Sequence, residues 1–226
     1  MWLTNSSIGR KFVMAFTGSF LVLFLLFHAS MNLALIFSED AYNAICSFLG
    51  ANWYAVVGTG VIAFFVLVHF VYAFWITWQN RKARGTDSYE VTARQEGVDW
   101  ASKNMLLIGI IIVLGLILHL YNFWFKMQFA ELTGIHTSAF DPHDGAALVK
   151  ATFMNPWYCL VYLVWLFFLW LHLTHGVWSA MQTFGLSNKV WFPRIKVIGN
   201  VVATLVVLMF ASVVCYYFGM WLATAF

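Results

Sequence analysis

Apolar residues run in five long blocks, at about 12–37, 53–78, 104–127, 156–182 and 197–222. Polar segments at 38–52, 79–103, 128–155 and 183–196 separate them. A membrane crossing by a helix needs ~20 apolar residues, and every block is long enough. Backbone polar groups in lipid must be satisfied within their own segment, so the five blocks are expected to be helices. Pro142, Pro156 and Pro193 fall between blocks or at a block's start, where a helix tolerates proline. The expected architecture is all-α, a single integral membrane domain over 1–226 built as a bundle of five transmembrane helices.

Composition agrees with this reading. The chain is 62% hydrophobic and 9% charged, against about 25% charged in soluble domains. The first block follows Arg10-Lys11 as in a signal peptide. It nevertheless continues to about residue 37 without a small-residue cleavage pattern, and is read as a retained span.

Charge sets the expected orientation. Of the 12 lysines and arginines, Arg10 and Lys11 precede the first span. Arg81, Lys82, Arg84, Arg94 and Lys103 lie between the second and third spans, and Lys189, Arg194 and Lys196 between the fourth and fifth. Only Lys126 and Lys150 fall on the other side. The positive-inside rule puts the N-terminus and both basic loops in the cytoplasm and the C-terminus outside, as an odd number of spans requires.

No acid lies within a span. Glu39, Asp40, Asp87, Glu90, Glu96, Asp99, Glu131, Asp141 and Asp144 are all between spans, so a carboxylate relay at membrane depth is missing. Cys46, Cys159 and Cys215 are scattered without a C-x-x-C, which argues against a zinc or iron–sulfur site and against a disulfide framework.

Histidines are the exception to this apolar pattern. His28, His69, His119 and His172 each occupy a different span. An ionisable residue inside a membrane is unfavourable and usually functional. With the chain threading back and forth, His28 and His119 fall in the outer halves of their spans, and His69 and His172 in the inner halves. At 1.5 Å per residue the two layers are expected to lie roughly 10–13 Å apart. Neutral imidazole is an axial ligand to haem iron, and two such ligands close the iron to oxygen and favour electron transfer. One histidine in a span is more often simply hydrogen-bonded to a neighbouring helix. Four on four helices, alternating in depth, point instead to two bis-histidine haems.

His175 is a second candidate in the fourth span. His172 is nearer the depth of His69 and is the expected ligand, leaving His175 a propionate, quinone or structural role. His136 and His143 are expected to be solvated loop residues. Gly18 precedes His28 by ten residues and Gly109 precedes His119 by ten, while Gly58, Gly60 and Gly176 flank the other pair. These glycines suggest close approach of a macrocycle, although small residues also serve ordinary helix packing. Arg10, Lys11, Arg81 and Lys103 are candidates for pairing with propionates of the inner haem, or else serve only to set topology. Trp2, Trp53, Tyr54, Trp78, Trp157, Tyr158 and Trp191, near span ends, read as an interfacial belt.

Four features together carry a family resemblance: Thr17-Gly18 followed by nine residues and His28; Val68-His69-Phe70-Val71-Tyr72; Ile108-Gly109 followed by nine residues and His119; and His172-x-x-His175-Gly176-Val177-Trp178-Ser179. Over essentially its whole length the chain resembles the cytochrome b subunit of succinate:quinone oxidoreductases, the succinate dehydrogenases and fumarate reductases, in the single-subunit, five-helix, two-haem form. The resemblance implies two haem b groups and a bacterial cytoplasmic membrane location. It also implies flavoprotein and iron–sulfur partners docked on the cytoplasmic face, and electron exchange with a quinone, usually menaquinone. An acidic residue handles quinol protons near the outer haem in some relatives, and Glu39 and Asp40 are the acids that the first outer loop offers.

Two rivals stand beside this reading. A di-haem cytochrome b of a hydrogenase or formate dehydrogenase would differ in its soluble partners. The bc-type arrangement is disfavoured, since no span carries two histidines about 13–14 residues apart. The other rival, a histidine-relay transporter, is weakened by the absence of intramembrane acids and of inverted repeats.

Overall fold

The computed structural model describes residues 6–84, 100–135, 138–186 and 188–225. Asp87, Glu90, Arg94, Glu96, Asp99, His136 and Trp2 lie outside them. All regular structure among the described residues is helical. In chain order the elements are α1 Ser7–Phe37, α2 Glu39–Phe48, α3 Trp53–Arg84, α4 Trp100–Lys103, α5 Met105–His119, α6 Gln128–Thr133, α7 Gly145–Phe153, α8 Pro156–Thr183 and α9 Trp191–Ala225. A π-helical stretch, Leu120–Trp124, continues α5.

Five of these are long and apolar enough to cross a membrane: α1, α3, α5 with its π-helical continuation, α8 and α9. Their outward faces are apolar, as Leu23 (67% exposed), Leu67 (61%) and Leu114 (61%) illustrate. Soluble monomers rarely present contiguous apolar surface on this scale, whereas a multi-pass membrane protein must. Helix starts follow from local chemistry. Ser6 Oγ accepts from Gly9 N at 2.9 Å to cap α1, and Asn155 Oδ1 accepts from Trp157 N at 3.0 Å ahead of Pro156 in α8.

The bundle is unevenly packed. α1, α8 and α9 form its tight side, while α3 packs mainly on α1, and α5 mainly on α8. Small residues allow the α8–α9 contact. A methyl group at Gly199 would sit 3.3 Å from Val177 Cγ1, and Ala203, one turn on, is completely buried. Ala29 of α1 is likewise fully buried. Exposed Trp78 and Trp191 lie near span ends, with Lys82 and Arg194 over their rings.

The polar segments 38–52 and 128–155 contain helices that a division into spans and loops does not anticipate. Ser38 ends α1 and caps α2, its Oγ accepting from Ala41 N at 3.1 Å. Asp144 caps α7 by accepting from Ala147 N at 3.0 Å. α2 and α7 then lock together through Asn43, which donates to Asp144 Oδ1 and accepts from Ala146 N, each at 2.9 Å. Gly145 permits this approach: a methyl group there would lie 2.5 Å from Cys46 Sγ. The pair caps the bundle at the end assigned to the outside by the charge rule.

Candidate functional site

Between the tight side and α3 and α5 runs a continuous cavity of about 1870 Å³, lined by all five spans and by residues of the cap. A single small-molecule pocket holds about 300–1,000 Å³, so this space is larger than one ordinary ligand needs. All four span histidines line it, as does His175.

The histidines meet in two pairs. The rings of His28 and His119 have centroids 6.0 Å apart with planes at 84°, and those of His69 and His172 are 6.2 Å apart at 73°. A metal–imidazole nitrogen bond is about 2 Å long. Two imidazoles on opposite sides of one ion, each with its ring centre about 1 Å beyond its nitrogen, would have centroids about 6 Å apart. Both spacings match that geometry. Among the described residues no group of three or more histidine, cysteine or acidic side chains is arranged around a metal position. Two imidazoles at this separation suit a metal that brings its other ligands with it, as a macrocycle does.

Hydrogen bonding at Thr17 favours one nitrogen of His69 as the ligand. Thr17 Oγ1 donates to Val13 O at 2.8 Å, so its lone pair can accept from His69 Nδ1–H, 3.0 Å away. That tautomer leaves His69 Nε2 unprotonated and able to ligate, the role that outer-shell partners of metal-bound histidine commonly play. At His28, Asn32 Nδ2 donates to the backbone oxygen at 2.8 Å and lies 3.4 Å from Nδ1, while Tyr42 O–H donates to Asn32 Oδ1 at 3.4 Å. His172 Nδ1 is buried without a hydrogen-bond partner. A buried nitrogen of this kind is unfavourable unless a bound group completes the site.

Aromatic packing and a local widening of the helix fix His119. Trp165, Phe123 and Tyr162 surround its ring at centroid distances of 5.8, 5.1 and 6.3 Å. Trp165 is anchored by donating from Nε1 to Ile112 O at 3.1 Å, and Gly115 leaves room for its indole. The π-helical stretch starts directly after His119, a placement common at functional sites. Inside it, buried Asn122 donates to Tyr162 O–H at 3.1 Å.

Glycine roles differ from the spacing-based expectation. Ten helical residues span about 15 Å, so Gly18 belongs to the opposite layer from His28. It faces His69: a methyl group at Gly18 would lie 3.2 Å from His69 Cε1. Gly58, Gly109 and Gly176 line the cavity, and a methyl group at any of them would meet nothing within 4 Å. They border space that a flat macrocycle could use.

Layer spacing falls at the upper end of the expected range on one helix and beyond it on another. Thr17 marks the depth of His69 on α1, eleven residues from His28, or about 16 Å. On α8 the Tyr162–Trp165 turn marks the depth of His119, about 13 Å from His172. Side-chain contacts across helices set this depth, which position within an apolar block only approximates.

Other expected residues divide. Lys11 lines the cavity, and Arg10 Nη1 donates to Gln79 Oε1 at 2.6 Å. Arg81 and Lys103 are exposed and do not line it. The ring of His175 packs edge-on to Trp178 with centroids 4.9 Å apart. Glu39 and Asp40 are exposed in the first turn of α2, away from the cavity lining. Among the described residues, the acid that lines the cavity is Glu131 of α6. Its Oε2 accepts from Ala51 N at 2.9 Å, and its Oε1 lies 4.0 Å from His143 Nε2. Nearby, Gln128 is buried, donating to Gly50 O at 2.8 Å and accepting from Thr59 Oγ1 and Trp124 Nε1 at 2.9 Å each.

Comparison with known proteins adds no assignment: no protein-family model, curated protein or solved structure matches this chain.

Proposed function

We propose that this chain is a di-haem cytochrome b, the membrane-anchor subunit of a succinate dehydrogenase or fumarate reductase in a bacterial cytoplasmic membrane. It carries electrons between an iron–sulfur partner and a quinone, with menaquinone the favoured type. The observation that carries the reading is the pair of histidine spacings, 6.0 and 6.2 Å, at two depths of one cavity. Bound haem supplies a reversible one-electron change at its iron.

The chain's own residues then have definite tasks. His69 and His172 hold the inner group, and Thr17 keeps His69 in the ligating tautomer. His28 and His119 hold the outer group, with Trp165 and Phe123 fixing the plane of His119. Lys11 supplies a positive charge at the inner end for propionates. The largely apolar lining suits the flat, apolar body of such a group. The basic inner loops provide a docking face for the flavoprotein and iron–sulfur partners.

The test is purification from the native membrane followed by a reduced-minus-oxidised spectrum. A b-type band, together with a copurifying flavoprotein and iron–sulfur protein and reduction of the haem by succinate, is expected. Absence of any b-type band from haem-replete protein rejects the cytochrome reading. A band with a copurifying hydrogenase or formate dehydrogenase favours that alternative.

A further inference from the structure

We propose that the lipid-facing seam between α8 and α9 holds one anionic phospholipid of the inner leaflet, its phosphate at Lys196 and Arg194 and one acyl chain in a groove deeper along the seam. The groove has a volume of about 290 Å³. Leu163, Phe167 and Trp170 of α8 form one wall, and Thr204, Val207 and Ala211 of α9 the other. None of these six lines the histidine cavity, so the site is separate from the haem reading. Trp170 Nε1 donates to Thr204 Oγ1 at 3.0 Å, which pairs the two polar side chains with each other and leaves an apolar surface. The cations belong to the first two turns of α9. The Lys196 ammonium lies over the rings of Trp178 and Phe192, at 4.8 and 5.3 Å, and the Arg194 guanidinium over that of Trp191 at 5.4 Å. Such rings sit at headgroup depth and hold the two charges there. No acid follows Asp144 in the chain, and among the described residues neither cation forms an ion pair. A phosphate diester supplies the missing negative charge.

Depth and direction both fit one lipid. Thr204 and Ala211 lie about 12 and 22 Å along α9 from Lys196, and Trp170 and Leu163 lie about the same distances along α8 from Trp178. Half a bilayer is about 15 Å of hydrocarbon, or about 20 Å with its headgroups. An acyl chain whose phosphate meets Lys196 therefore reaches the groove with its distal half. Thr204, Val207, Leu208 and Ala211 recur at i, i+3, i+4 and i+7, so they form one stripe on α9. At about 100° per residue, Lys196 and Arg194 flank the inward continuation of that stripe, about 70° to one side and about 90° to the other. Leu208 is 59% exposed, so the stripe faces lipid. Apolar surface alone accepts any lipid; the flanking charges select an anionic one.

The test is photo-crosslinking of the purified full chain in phosphatidylcholine nanodiscs. A trace of phosphatidylglycerol carries a diazirine midway along one acyl chain, and labelled peptides are located by mass spectrometry. Labelling should concentrate within residues 163–170 and 204–211, and a phosphatidylcholine probe with the same diazirine should label them far less. Combining Arg194→Gln with Lys196→Gln should lower phosphatidylglycerol labelling there about 25-fold, or about fivefold for each cation, and Lys196→Arg should retain it. Ala211→Leu narrows the groove and should lower labelling with both charges still present. Equal labelling of the seam by the two probes, or undiminished labelling in the double glutamine variant, would overturn the proposal. The comparison of probes uses the wild-type chain, so it decides the matter even where a variant fails to fold.

Discussion

Thr17 offers the sharpest test of how the inner site is held. Thr17→Val keeps the side-chain shape and its β-branching but removes the hydroxyl that lies 3.0 Å from His69 Nδ1. Thr17 is 3% exposed, so water is poorly placed to replace it. Leaving a buried imidazole N–H without an acceptor costs about 1–3 kcal/mol. Loss of an outer-shell partner to a metal-bound histidine typically weakens binding about 10–100-fold, which spans nearly the same range in free energy. The expected outcome is that Thr17→Val loses its inner haem about 10–100-fold more readily to a haem-scavenging protein, while the outer haem is retained as in wild type. Thr17→Ser, which keeps the hydroxyl, should be close to wild type. The assay follows the two b-type components by absorption during competition. Equal loss of both haems, or a serine variant as weak as the valine variant, would refute the proposed orientation of His69.

Further outcomes follow from the same geometry. His69→Ala or His172→Ala should remove the inner haem preferentially, and His28→Ala or His119→Ala the outer one; loss of the same haem in His28→Ala and His69→Ala would break the pairing. Gly109→Leu fills space bordering the cavity without meeting protein within 4 Å of its first carbon. It should leave the apoprotein folded by circular dichroism yet lower haem content, and full haem loading would remove Gly109 from the site. Burial pushes the Cys46 thiol up to about 11, Asp144 adding to the rise and a hydrogen bond with Tyr42 opposing it. At pH 8 little thiolate is then present, so iodoacetamide should label Cys46 slowly and faster as pH rises towards 11, as mass spectrometry can follow; rapid labelling at pH 8 would contradict the packed cap.

Much of the fold was legible because lipid imposes a coarse rule. A block of apolar residues near ~20 long has one available structure, and the five spans start and end close to where hydropathy changes. Four histidines stood out for the same reason, as polar groups in lipid-length segments. What could not be read were relations between helices. Thr17 reads as an ordinary threonine of a span until α1 and α3 are packed, when its hydroxyl reaches His69 across a sequence separation of 52 residues. Spacing along one helix pairs Gly18 with His28, yet Gly18 makes room for a histidine on the next span. Glu131 was hidden because α6 reads as loop, its six residues too few to show a helical period. Glu39 and Asp40 read as acids of the first outer loop, but that loop is helical, and they lie in the first turn of α2 behind the Ser38 cap, where carboxylates favour a helix N-terminus. The π-helical stretch after His119 has no sequence signature in Leu120–Trp124.

The most direct measurement is the ratio of haem to protein in the purified, haem-saturated chain, taken with the ligation state from its absorption spectrum. Two b-type haems per chain, both six-coordinate and low-spin, are expected from two imidazole pairs with centroids 6.0 and 6.2 Å apart. A ratio of one or none, or a five-coordinate high-spin spectrum, would contradict the assignment of His28/His119 and His69/His172 as two closed haem sites.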